Sequence, residues 1–109
     1  MKRLEEKKLD RELFLWLKET RKVCERCGSV KFLQPSHGFS RVYRNVRWSS
    51  VNVRLLCAKC HWWWKKNPPA AGEWFVKHIG GLEVWKYLQQ VRELSEKPKT
   101  MEEARKGWL

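Results

Sequence analysis

Four cysteines and three scattered polar residues could do chemistry in this chain. Cys24-Glu-Arg-Cys27 and Cys57-Ala-Lys-Cys60 are matched Cys-x-x-Cys pairs about 30 residues apart. One tight turn can present two thiolates, and two such turns complete a tetrahedral zinc site. Gly28 follows the first pair and lets the backbone curl so that amides face the sulfurs. Cys24, Cys27, Cys57 and Cys60 are therefore read as structural zinc ligands. Cys57-Ala-Lys-Cys60-His61 also matches the c-type haem pattern, but that attachment requires export and leaves the first pair unexplained. A redox pair would need a βαβ context, which the chain lacks.

His37, Asn52 and His61 form the second set, spaced His-x14-Asn-x8-His. A hairpin followed by a helix would bring them to one face. There, a neutral His37 could take a proton from water, and Asn52 could fix a loop or an imidazole. His61 could hold a divalent cation at a scissile phosphate. The plainer reading of His61 is a packing residue beside a metal turn.

The elements that must position these groups follow from periodicity. Leu9, Leu13, Trp16 and Leu17 recur at helical spacing and predict an amphipathic helix from about 4 to 19, packed on the domain. Residues 31–34 read as a short strand ended by Pro35, residues 38–50 as an irregular loop, and residues 51–56 as a second strand. Cys57 opens a helix that Asn67-Pro68-Pro69 ends. Further helices are expected around Trp74–Ile79, stopped by Gly80-Gly81, and from Leu82 to about Leu94. Thr100 and Glu103 form a capping-box pattern that opens a short last helix. A first cysteine pair in a strand-side turn and a second opening a helix describe a treble clef. The fold class is thus small α+β, with a zinc-stabilised treble-clef unit and flanking N- and C-terminal helices.

Charge narrows the partner. The 109 residues carry 24 Lys+Arg against 12 Asp+Glu, a net +12, which points to an anionic partner, by default nucleic acid. No apolar run approaches the ~20 residues of a membrane span, so no membrane partner is expected. The charged N-terminus lacks a signal-peptide core, which favours a reducing, cytoplasmic setting and thiols over disulfides.

The stretch SHGFSRVYRNVRWSSVNVRLLCAKCH strongly resembles the HNH, or ββα-metal, endonucleases with two Cys-x-x-Cys pairs. Within that group, LQPSHGFSR, YRNVRW and LLCAKCHWWWKKNP look like phage recombination nucleases of the NinG/Rap type. The likeness covers roughly residues 20–109 and leaves the N-terminal helix outside. Together with the helix read from periodicity, the chain is expected to form one compact domain: an N-terminal amphipathic helix (1–20), a zinc-bound HNH core (21–69) and a C-terminal helical extension (70–109). The resemblance also implies His37 as general base, Asn52 as the middle motif residue and His61 as ligand of a catalytic Mg²⁺ or other divalent metal. The activity implied is hydrolysis of DNA to 5′-phosphate and 3′-hydroxyl ends in a phage-infected or prophage-bearing bacterial cell, with branched DNA as a candidate substrate.

Where many such nucleases carry a ligating Asp or His before the general base, this chain has Ser36, a weak ligand. Lys65 stands near where some relatives place another histidine. Both departures predict low affinity for free Mg²⁺, and they keep open a zinc-stabilised DNA-binding module without catalysis. A third reading is an accessory of a phage recombination or packaging complex. Arg41, Arg44, Arg47 and Arg54 are expected to grip phosphates by paired hydrogen bonds, with Lys65 and Lys66 as further DNA contacts. Trp48 is read as core. Trp62, Trp63 and Trp64 sweep about 200° of a helix and cannot all face one core. Two are expected to pack on the N- and C-terminal helices and the third to be exposed, as a homodimer contact or a wedge at a DNA branch. His78 is read as structural.

Overall fold

The computed structural model describes residues 1–109 as a two-stranded sheet wrapped by five helices. In chain order these are α1 (Arg3–Arg21), β1 (Leu33–His37), β2 (Val53–Cys57), α2 (Ala58–Lys66), α3 (Pro68–Ile79), α4 (Leu82–Leu94) and α5 (Met101–Arg105). No helix is long and apolar enough to cross a membrane.

α1 forms because Leu9, Leu13 and Leu17 stack at i, i+4, i+8 on one face, and all three are fully buried. Each contributes about 2 kcal/mol by leaving water. They meet Trp48, Val53 and Leu55, then Ala104 of α5 and Trp108. The C-terminal Gly-Trp-Leu, undecided in the sequence, thus docks on the core through Trp108, and Ser50 N–H donates to the Gly107 carbonyl at 2.9 Å.

β1 and β2 pair antiparallel, with Leu33 opposite Cys57 and His37 opposite Val53. Pro35 lies inside β1, not at its end. It faces Leu55, whose N–H and C=O both turn away from β1 to Glu25. Pro35 therefore occupies a non-hydrogen-bonded position, where a missing N–H costs the ladder nothing. β2 is buried along its whole length. Val53 and Leu55 belong to the α1 side, while Leu56 packs with the cysteines.

Pro68 and Pro69 do more than end α2. They are the first two residues of α3, where an absent N–H is tolerated. α3 and α4 close the far side through Phe75 and Leu88, which pack with Val46 of the loop.

Candidate metal centre and histidine site

The four cysteine sulfurs lie within 4.8 Å of one another. Cys27 Sγ and Cys57 Sγ are 3.6 Å apart, close to the ~3.8 Å edge of a tetrahedron with ~2.3 Å Zn–S bonds. Cys24 sits before the turn and Cys57 caps α2. The N–H of Cys27 donates to Cys24 Sγ and that of Cys60 to Cys57 Sγ, both at 3.4 Å. Gly28, at φ +80°, closes the first turn. Burial pushes the Cys24 thiol up, but backbone amides at the two turns outweigh it and bring its pKa down to about 6. Burial and the neighbouring thiols push Cys60 up to about 12. Such a set gains by exchanging protons for one cation. The arrangement is compatible with structural zinc.

Beside it lies a residue that sequence reasoning missed. Glu25, between the first two cysteines, accepts from Arg21 (2.9 Å), Arg54 (3.0 Å), His78 (2.8 Å) and the Leu55 amide. Burial raises its pKa, but the Leu55 amide and the Arg54 and Arg21 charges win and hold the carboxyl below its ordinary range. One carboxylate thus ties the end of α1, the cysteine turn, β2 and α3 together. His78 also stacks on Trp74 at 4.6 Å, in keeping with its structural reading. A carboxylate four residues after Arg21 was the available signal for Glu25.

At the other end of the hairpin, Asn52 is fully buried just before β2. Its Oδ1 accepts from Phe39 N–H at 2.7 Å, and its Nδ2 donates to the Phe39 and Val46 carbonyls at 3.0 and 3.1 Å. Asn52 therefore clamps the loop after His37 and hydrogen-bonds to neither imidazole. A Cβ at Gly38 would come within 2.5 Å of the Phe75 ring and 3.0 Å of Asn52 Oδ1, so only glycine lets the chain pass here.

His37 Nε2 lies 2.9 Å from the Arg47 carbonyl. A carbonyl only accepts, so Nε2 carries the proton and Nδ1 is left with a lone pair. Burial, then the Arg41 and Arg47 charges, outweigh that bond and lower the His37 pKa to about 4. His61 sits one turn into α2 with Nδ1 2.6 Å from Ser36 Oγ. Burial, Lys65 and Arg41 lower its pKa as well. Both rings are therefore neutral at pH 7. The two groups expected to approach a cation, Ser36 and His61, meet each other directly. Ser36 is buried, and its hydroxyl is committed to the imidazole.

The four arginines separate. Arg54 is buried, bonded to Glu25 and to the Ser50 and Val51 carbonyls, which makes it an interior residue and not the surface phosphate contact expected from the sequence. Arg47 forks onto Asp10 at 3.1 and 2.7 Å, and Arg44 pairs with Glu6. Arg41 is exposed, has no ion pair, and its charge acts on both histidines. Lys65 and Lys66 are exposed at the end of α2.

Trp48 is buried, with Nε1 donating to Asp10 at 3.0 Å. Trp63 lies under Arg26 at 3.6 Å and edge-on to Trp74, while Trp64 packs on Trp74 and Phe75. Neither reaches α1, because the sheet stands between α1 and this cluster. Trp62 is exposed.

No family model, curated protein or solved structure matches the chain in comparison with known proteins.

Proposed function

We propose that this chain is a metal-dependent DNA endonuclease of the HNH type, built on a zinc-bound treble clef. The observation that carries the reading is the state of His37. Its Nε2 is fixed on a backbone carbonyl, which leaves the Nδ1 lone pair free at the end of a hairpin that leads into the His61 helix. The net charge of +12 and the unpaired Arg41 support a polyanionic substrate.

In this reading His37 Nδ1 takes the proton of the attacking water, and Asn52 holds the loop that carries the Arg47 carbonyl. His61 presents Nε2 to a divalent metal. For that, Nδ1 must carry the proton and donate it to Ser36 Oγ, so Ser36 fixes the tautomer of His61. When bound, the metal supplies charge at the phosphate and at the leaving oxygen. Arg41 holds a non-bridging phosphate oxygen, where a guanidinium offers two parallel donors. One imidazole with no neighbouring carboxylate makes a sparse donor set, in line with weak binding of free Mg²⁺.

The test is cleavage of supercoiled plasmid, linear duplex and a synthetic forked junction, with Mg²⁺, Mn²⁺ or EDTA. His37→Ala is expected to lose about 10²- to 10⁴-fold in rate while remaining cooperatively folded. Tight binding by the wild type with no cutting under any metal would overturn the enzymatic reading in favour of a DNA-binding module.

A further inference from the structure

Between α1 and the loop lies a basin of about 380 Å³ with no hydrophobic residue in its lining. Its floor is neutralised internally. Asp10 is held by Arg47, and Glu6 by Arg44, so both carboxylates are spent on arginines. Its rim is not. Arg3, Lys7 and Arg41 line the same basin, are exposed, and form no ion pair.

We propose that this basin is a phosphate groove that seats the sugar–phosphate backbone of a nucleic acid next to the histidine site, with α1 as its second wall. It rests on the DNA reading above and extends it. Three uncompensated cations around one polar hollow attract an anion. No hydrophobic residue lines the hollow, so its charged rim and not apolar burial sets what it attracts. Arg3 and Lys7 lie one turn apart, about 6 Å along the helix axis, so they spread charge along the groove instead of focusing it at one point. Arg41 joins the two sites, because the same guanidinium lines the basin and acts on both His37 and His61. A backbone entering over α1 would therefore reach the histidines through Arg41. The arginine–carboxylate pairs give the groove a fixed floor and hold the loop that carries Arg41.

The experiment compares Arg3→Ala/Lys7→Ala with a charge-matched control, Lys77→Ala/Lys86→Ala on α3 and α4. Binding of a labelled duplex is followed by anisotropy across salt, and cleavage of the same duplex gives KM and kcat. Loss of two phosphate contacts should lower the slope of log K against log salt by about 2, raise KM, and leave kcat within about twofold. The control should change the slope little. Equal slopes for the two double variants, with melting temperatures intact, would overturn the groove even if His37→Ala still abolishes cutting. A slope loss confined to Arg3/Lys7 with no cleavage by any form would keep the groove and reject the nuclease reading. No binding by the wild type would overturn both.

Discussion

The two ends of the β-hairpin use the same residue types to opposite effect. At the cysteine end, Glu25 gathers Arg21, Arg54, His78 and a backbone amide, and the sulfurs receive their own amides. At the histidine end, Arg41 has no counter-charge, and His37 and His61 each keep one ring nitrogen outside the protein hydrogen bonds described. Arginine and histidine are scaffold where a buried carboxylate is within reach and are left without a counter-charge where none is. Residue type does not separate these roles, and pairing does.

That contrast can be tested by disturbing one end at a time. The largest effect should come from Cys57→Ser or from a strong chelator. A structural zinc site is worth about 10 kcal/mol or more, so cooperative unfolding should vanish in circular dichroism melts. Metal analysis of the native protein should give one zinc per chain. A folded, cooperative Cys57→Ser protein would show that packing alone holds this end.

Next, Glu25→Gln leaves Arg54 buried without its partner and should cost about 3–5 kcal/mol, read from chemical denaturation. Its kcat at a temperature well below the melting point should remain near wild type, because Glu25 reaches the loop before β2 only through Arg21 and Arg54 and bonds to neither His37 nor His61.

The two ends also titrate differently. His37 has a folded pKa near 4 against an ordinary 6.5, so the unfolded chain binds its proton first as pH falls. Stability should therefore decline from pH 6.5 towards 4, by about 3 kcal/mol when complete. Glu25 is depressed below its ordinary 4.5, so its contribution persists above that value and fades only at lower pH. Denaturation measured from pH 7 to 4 should show the first window in the wild type and a shallower one in His37→Gln. Identical profiles would remove His37 as the source.

The smallest effect should come from Ser36→Ala, about 10- to 100-fold in metal affinity or activity, with an upward shift in the metal concentration for half-maximal cutting. Loss of stability without that shift would make Ser36 a packing residue alone.

Much of this was legible in the chain. The Cys-x-x-Cys pairs, the α1 leucine stripe and the break at Gly80-Gly81 are local signals, and spacing carries them. The continuation of β1 through Pro35 was not legible, because it depends on which way Leu55 turns its amide. The packing of Trp63 and Trp64 on α3 depends on which side of the sheet α2 lies.

The chain by itself determined the two Cys-x-x-Cys pairs, the amphipathic helices and the positive balance, since each is a property of neighbours along the chain or of a sum over it. The tertiary structure decided which arginines are free, which nitrogen of His37 carries the proton, and that Glu25 joins four elements. Those facts turn on partners far apart in sequence: Arg44 with Glu6, Arg47 with Asp10, Arg54 with Glu25. A charge becomes scaffold or site according to what folding places beside it, and that is set by distance in space.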